Sequence, residues 1–213
     1  MTRLNTKNIV LRRHLLKTMM GGSLLAVTGS VLTACSNSGP TYYTLSPIQG
    51  RLYNVTSSII EVRTPSLAGF LDKDRIVSEI SNNKLTLSSS DAWADNITNM
   101  IGRVMMLDLA QRLPNSRVFL QNQATQTTPQ FYVEMDISRF NQDASGKAVV
   151  TADVVIRTDS DKPAQFNRLL TLEKVPADSS TQALVVALSQ ILGEIAETTA
   201  ASLANLPSMP IVN

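Results

Sequence analysis

Two stretches in the second half of the chain place an apolar residue at every second position. The first runs from Phe131 to Ile137 and the second from Ala148 to Ile156, with a turn at 143–146 between them. A period of two is typical of β-strands with one buried face. With a third strand over 165–173, these segments predict an antiparallel meander, whose apolar face must be covered by other elements.

Two other segments repeat apolar residues at intervals of three and four, which is typical of amphipathic helices. The first is predicted to have Asp91 as its N-cap and to stop at Pro114. The second is predicted to begin after Ser179 or Ser180 and to close at Pro207. Their apolar stripes consist of Trp93, Ile97, Ile101, Val104, Met105, Leu109 and Leu113, and of Leu184, Leu188, Ile191, Leu192, Ile195, Thr199 and Leu203.

Shorter runs rich in β-branched or aromatic residues predict further strands over 42–45, 58–63, 75–80, 84–88 and 117–120. The asparagines between the third and fourth of these favour a hairpin turn. The sequence therefore predicts an α+β fold: a single domain with a mostly antiparallel sheet and two long amphipathic helices packed on it. This domain is expected to span residues 42–206, and a loose tail is expected over 207–213.

The first 34 residues are organised like an export signal. Residues 1–17 carry five positive charges and no acid, residues 18–34 carry no charge, and Leu32-Thr33-Ala34-Cys35 fits the bacterial lipobox pattern. In that pattern the Cys35 thiol takes a diacylglyceryl group and the peptide before it is removed. We therefore predict a signal peptide over 1–34, lipidation at Cys35, and a short tether up to residue 41. The alternative is an ordinary core helix with a buried cysteine.

The sequence is compatible with two export routes, the twin-arginine route and the general secretory route. Arg12 and Arg13 resemble the twin-arginine motif, and eight of the next 17 residues from Thr18 to Ala34 are Gly, Ser or Thr. Adjacent arginines are also common in the basic region of general secretory signals. Ser36 follows the cysteine, and in the sorting rule for bacterial lipoproteins an Asp there favours the inner membrane. We therefore expect an outer-membrane anchor, with the domain facing the periplasm.

Removal of residues 1–34 changes the formal net charge from +2 to −3 and removes His14, the one histidine. No basic patch for nucleic acid is expected in the mature chain. Ser-His-Asp triads, Cys-His pairs and His-based zinc sites are excluded, and neither a cofactor nor a metal is expected. No second apolar run approaches the roughly 18 residues that span a bilayer, so attachment is expected to come from lipid.

Acidic pairs are the remaining candidates for acid–base chemistry or cation binding. They are Asp91 with Asp95, Asp72 with Asp74, and Asp159 with Asp161. The favoured interpretation makes Asp91 a helix cap and the other two pairs solvated turns. Trp93 could be a binding anchor, but a tryptophan on the apolar face of a helix favours a core position.

Several short motifs in the chain resemble the PqiC-like auxiliary lipoproteins of ABC-type transport systems. The resemblance covers about residues 35–206, and its motifs are mostly core patterns with no catalytic residue. The matching residues are Cys35, Tyr42-Tyr43-Thr44-Leu45, Val62 through Pro65 to Leu71, Ile76-Val77, Trp93-Ala94-Asp95, Leu113-Pro114, and Val133, Met135, Ile137 and Phe140.

This resemblance implies a non-catalytic outer-membrane lipoprotein, anchored by acyl chains such as palmitate, that supports membrane integrity. It implies a lipid transport system built on an MCE-domain tunnel protein (PqiB-like) with inner-membrane transporter components, and a homo-oligomeric ring at the tunnel's outer end. The alternatives are a carboxylate-dependent periplasmic envelope hydrolase and an adaptor lipoprotein of another envelope assembly machine.

Overall fold

Nine strands and two helices make up the described part of the chain. The computed structural model describes residues 39–55, 57–81, 83–121, 127–158 and 162–207. The strands are β1 (Thr41–Tyr43), β2 (Ile59–Val62), β3 (Ser66–Leu67), β4 (Arg75–Ser81), β5 (Lys84–Trp93), β6 (Arg117–Leu120), β7 (Phe131–Gln142), β8 (Ala148–Arg157) and β9 (Phe166–Lys174). The helices are α1 (Ile97–Arg112) and α2 (Thr181–Ala204).

Strand β7 is the centre of the sheet. On one side it pairs with β8 along its length, and β8 pairs with β9, both antiparallel. This is the predicted meander, and it is confirmed. On its other side β7 pairs in parallel with three short strands in succession: β2 near its start, β3 in its middle and β4 at its end.

The outer strands extend from these contacts. β6 adds to β2 in parallel, and β5 returns beside β4 as the predicted hairpin. Asn83 in its turn has φ 63°, a left-handed conformation that asparagine tolerates. β1 then pairs with the end of β5, with Thr41 opposite Asp91. The three antiparallel ladders are joined by short parallel ones, so the sheet is mixed.

The two helices cover one face of this sheet and pack against each other. Helix α2 contacts β7, β8 and β9, while α1 contacts β2 and β6. The alternation places Phe131, Val133, Met135 and Ile137 on the covered face, where all four are buried. The predicted α+β single domain with two helices on a sheet is confirmed.

The predicted start of the first helix is wrong. Asp91 is not its cap, because residues 91–93 pair with β1 and so belong to β5. The chain turns after this strand, and α1 begins at Ile97 with Asn96 as the N-cap. Trp93 is nevertheless in the core, as predicted, with 6% of its surface exposed and its ring 6.3 Å from that of Phe140.

Helix α2 starts where it was predicted to start, since the Ser180 side chain accepts a hydrogen bond from the backbone N–H of Ala183. It is also long and apolar enough to cross a membrane by length and composition, which the sequence reading missed. However, 67% of its most apolar window is buried within the fold, as expected for a core helix.

Candidate functional site

The residues of the predicted signal and anchor lie outside the described residues. These are Arg12, Arg13, Leu32, Thr33, Ala34 and the lipidation site Cys35. The same holds for most of the tail and for Asp159 and Asp161. Each of these assignments stays a prediction.

Asp91 and Asp95 form hydrogen bonds with different partners. Asp91 Oδ2 accepts hydrogen bonds from the hydroxyl groups of Ser88 at 2.9 Å and Thr181 at 2.9 Å, so it ties β5 to the first residue of α2. Asp95 pairs with Arg103 at 2.7 Å, and the hydrogen bond from Arg103 lowers the pKa of the Asp95 carboxyl. Each carboxylate therefore has its own structural partner, and the two do not act as a pair.

Asp72 and Asp74 are exposed in the turn before β4, which agrees with a solvated turn. Within the described ranges, no group of three or more acidic, cysteine or histidine side chains is arranged to hold a metal ion.

A buried arginine organises the junction between the helices and the segment 44–55. Arg112, at the end of α1, is 2% exposed. Its guanidinium donates to the backbone oxygens of Ile48 at 3.0 Å, Asp108 at 2.9 Å and Gly193 at 3.0 Å, and to Glu197 Oε2 at 2.9 Å. The first acceptor lies in the segment, the second in α1 and the last two in α2, so one side chain holds three parts of the fold together.

Two carboxylates complete this junction. Asp108 is fully buried and accepts from the N–H of Ile48 at 2.7 Å. Desolvation raises the pKa of the Asp108 carboxyl to about 6, although that N–H and the Arg112 charge oppose the rise. Glu197 accepts a hydrogen bond from the Tyr53 hydroxyl at 2.7 Å. Partial burial acts to raise the pKa of the Glu197 carboxyl, but the hydrogen bonds from Tyr53 and Arg112 outweigh it, so the pKa lies below its ordinary value.

The junction leaves no room for a side chain at Gly50. A Cβ there would lie 2.3 Å from the guanidinium carbon of Arg112. We refer to Ile48, Gly50, Asp108, Arg112 and Glu197 as the Arg112 clamp. The clamp fixes the chain soon after it enters the domain at β1.

The face of the sheet opposite the helices carries charged side chains. Glu134 pairs with Arg157 at 3.0 Å, and Arg63 pairs with Glu61 at 3.2 Å while its guanidinium lies 4.5 Å from the ring centre of Tyr132. These side chains are half-buried between neighbouring strands. This part of the face therefore carries paired charges.

An acidic pair lies in a groove on this face. Asp136 on β7 and Asp153 on β8 are directly opposite each other. The groove has a volume of about 300 Å³ and is lined also by Arg63, Thr64 and Ser66. Ser66 donates a hydrogen bond to Asp136, whereas Asp153 Oδ1 is buried with no hydrogen-bond partner among the described residues. Sequence reasoning missed this pair, because its members are 17 positions apart on different strands.

Comparison with known proteins identifies the family. The family described as "ABC-type transport auxiliary lipoprotein component" matches residues 43–200, which is most of the chain and nearly all of the domain. The chain belongs to this auxiliary lipoprotein family. The resemblance found in the sequence is thereby confirmed. No curated protein matched the chain in a sequence comparison.

Solved structures similar to this auxiliary lipoprotein agree on the fold. Protein XCC0632 from Xanthomonas campestris superposes with a TM-score of 0.65 at 19% identity, over 76% of this chain and 95% of that one. The crystal structure of an uncharacterized protein gives a TM-score of 0.66 at 14% identity, over 78% and 99%. At these identities the likeness shows the fold alone.

The Arg112 clamp of the auxiliary lipoprotein was not found from the sequence. Asp108 and Arg112 stand one helical turn apart on α1, a spacing common in exposed ion pairs. Their burial depends on the segment 44–55, which has no periodic pattern. The available signal for their burial was the apolar stripe of α1. Charged residues next to such a stripe on a helix lie close to the core.

Proposed function

We propose that this auxiliary lipoprotein is a non-catalytic, periplasm-facing component of an MCE-type intermembrane lipid transport system, anchored in the outer membrane through Cys35. The family match carries the proposal, because the family is described as an auxiliary lipoprotein component of ABC-type transport and the matched region begins eight residues after Cys35, the predicted acylation site. The expected role is to support envelope integrity.

The arrangement of the entry segment supports an anchored role. The chain enters the fold at β1, whose Thr41 lies opposite Asp91, and Asp91 is hydrogen bonded to the start of α2. The Arg112 clamp then holds the chain again at Ile48. The chain is therefore attached to the rest of the domain at two places soon after the tether, at β1 and at Ile48. Both attachments would resist a force that the tether exerts on the domain.

A non-catalytic role is supported by the use that the fold makes of its acids. Asp91, Asp95, Asp108 and Glu197 each accept hydrogen bonds that hold elements together. The open groove with Asp136 and Asp153 is one place among the described residues where two carboxylates face each other without a basic partner between them, so it is the place to test for acid chemistry. A hydrolase that used this groove would need both acids for activity.

The proposed partners are a PqiB-like MCE-domain tunnel protein, its inner-membrane transporter components and further copies of this chain. Strand β5 offers one surface for a copy, since its residues 84–90 have β4 as their single neighbour within the described residues. Leu85 and Leu87 on this edge are 42% and 50% exposed. Unpaired apolar strand edges are prone to pair with other chains.

Replacement at two neighbouring positions tests the anchor and its destination. Cys35→Ala should release the protein from membranes or leave its signal uncleaved. Ser36→Asp should keep the acyl anchor but retain the protein at the inner membrane, and Ser36→Ala is the matched control that should reach the outer membrane. Membrane fractionation and sensitivity to membrane-disrupting agents are measured in cells carrying each variant.

Full protection by Ser36→Asp would overturn the outer-membrane assignment. The partner assignment is tested by deleting the MCE-domain gene as well. If the two proteins work in one system, loss of both should sensitise cells no more than loss of either. An additive effect would instead support an adaptor of another envelope machine.

A further inference from the structure

Two neighbouring grooves follow the first half of α2 close to where the chain enters the domain. The larger, of about 370 Å³, lies between α2 and the segment 175–178 after β9. The smaller lies between α2 and the segment 44–48. Gln182 and Val186 line both grooves, so the two form one continuous surface.

Apolar side chains are exposed on this surface, beside polar ones from Ser180, Gln182 and Gln190. Val175 has 74% of its surface exposed and Val186 has 43%. Pro176 and Ala177 extend the same surface, and Asp178 supplies the charge among its lining residues. We call Val175, Pro176, Ala177 and Val186 the α2 patch. Large exposed apolar side chains grouped in this way mark contact sites.

The position of the α2 patch relative to the predicted anchor limits what can cover it. Thr41 lies opposite Asp91, and Asp91 accepts a hydrogen bond from Thr181, the residue before Gln182 of the larger groove, so the chain enters the domain beside the start of α2. The tether from Ser36 to Thr41 has six residues and reaches at most about 20 Å. An acylated Cys35 would therefore keep this end of the domain within about 20 Å of the lipid.

We infer that the α2 patch is a membrane-contact surface, which rests on the bilayer that holds the Cys35 acyl chains. The inference rests on the proposed lipid anchor and adds a second attachment to it. Its occupant is the lipid surface, because the acyl chains of Cys35 would bring a bilayer within reach of these exposed apolar side chains, and contact with lipid strengthens with the apolar area that it buries. Such a contact would fix the orientation of the domain, which a tether alone does not.

Probes attached to cysteines on the acylated, full-length mature protein test this inference. In the mature chain Cys35 is blocked, so Val175→Cys and Val186→Cys each create a single reactive thiol. Leu169→Cys is the matched control, because Leu169 is 67% exposed but lies on β9, about 20 Å along the strand from Val175. Each variant carries an environment-sensitive fluorophore in vesicles of phosphatidylethanolamine and phosphatidylglycerol.

The expected result is a blue shift and protection from aqueous iodide at positions 175 and 186, with the probe at 169 remaining open to iodide. Spin-labelled lipid should quench the probes at positions 175 and 186 more strongly than the probe at position 169. Equal access of iodide to all three probes, in protein that floats with the vesicles, would overturn the patch as a membrane contact. Failure to float would overturn the lipid anchor itself, and with it the patch.

A charge placed on the patch gives a second readout. Val175→Asp should leave flotation unchanged, since the acyl chains remain, but should restore iodide access to a probe at position 186. If that probe stays protected in the Asp variant, the protection comes from protein packing rather than from lipid, and the inference fails.

Discussion

Arg112 and Asp108 are charged residues in the core of the domain, and both depend on backbone partners. Three of the hydrogen bonds that Arg112 donates go to carbonyl oxygens, and the one that Asp108 accepts comes from a backbone N–H. Buried charges cost free energy unless such partners compensate for the lost water. Asp108 Oδ2 has no hydrogen-bond partner among the described residues, so its compensation is incomplete.

Asp108 should make the domain more stable at mildly acidic pH. Its pKa in the fold is about 6, above the ordinary 3.8, so its stabilising contribution is complete below pH 3.8 and is lost as pH rises through 6. Urea unfolding of the mature protein should show about 1 kcal/mol more stability at pH 5 than at pH 7.5. The lowered pKa of Glu197 acts in the opposite direction, but only below its ordinary value of 4.5.

Asp108→Asn is the matched variant for this measurement, because it keeps an acceptor for the Ile48 N–H and removes the titrating group. Its stability should be nearly constant between pH 7.5 and pH 5. Residues 35–213 contain no histidine that could titrate in that range. A rise in the stability of the variant equal to that of the wild type would assign the effect to another group.

Trp93 is expected to stabilise the fold rather than to bind a partner. It is buried against Phe140, and its backbone N–H donates to the carbonyl oxygen of Asp74. Trp93→Ala should lower the free energy of unfolding by about 3–5 kcal/mol, the usual range for a large aromatic removed from a core. Thermal melting followed by circular dichroism measures this. A variant that melts normally yet loses transport function would make Trp93 an interface residue.

Asp136 and Asp153 should be dispensable for function. Asp153→Asn removes one of two like charges that face each other, so it should raise stability by about 0.2–1 kcal/mol. Asp136→Asn should fold, and both variants should protect cells from membrane-disrupting agents like the wild type. One folded, correctly localised variant with complete loss of protection would favour the hydrolase over the transport adaptor.

At the scale of elements, sequence patterns within a few residues predicted the strands, turns and caps that depend on neighbouring residues. The meander, the β4–β5 hairpin and the Ser180 cap depend on alternation, turn residues and capping, which are visible within a few residues. The start of α1 was wrong because Asp91–Trp93 pairs with β1, about 50 positions away. The parallel ladders of β7 were missed for the same reason, because the apolar periodicity of a strand does not show which distant strand it pairs with.

The close approach of the segment 44–55 to both helices predicts a stability effect at Gly50. Gly50→Ala places a methyl group 2.3 Å from the Arg112 guanidinium carbon, which is not free to move without breaking its bonds to α2. The variant should lose about 1–3 kcal/mol of stability, as overpacked cores do. Gly69→Ala is the control, since a Cβ there has no neighbour within 4 Å. Equal urea midpoints for the two variants would show that the clamp tolerates displacement.

At the scale of the whole molecule, the fold presents surfaces of different chemistry. The helices close one face of the sheet, the opposite face carries paired charges, and the α2 patch lies near the entry of the chain. The sequence predicted the closed face, because burial follows apolar periodicity. It gave no sign of the α2 patch or the acidic groove, whose residues come together only through the tertiary fold.

The length of the tether from Ser36 to Thr41 limits how far the domain can lie from the membrane. The roughly three acyl chains at the cysteine of a mature bacterial lipoprotein should hold the protein almost permanently, since each buried methylene contributes about 0.8 kcal/mol. With Cys35 acylated as proposed, six tether residues would keep the domain within about 20 Å of the lipid, whereas 30 added flexible residues would allow a root-mean-square span of about 30 Å and much larger excursions. The extended form should stay folded and anchored but lose protection against membrane-disrupting agents. The same insert after Pro207 is the control, and should leave protection intact. Full protection by the long-tether form would show that docking a tunnel against the outer membrane does not require proximity, and the docking role would have to be abandoned.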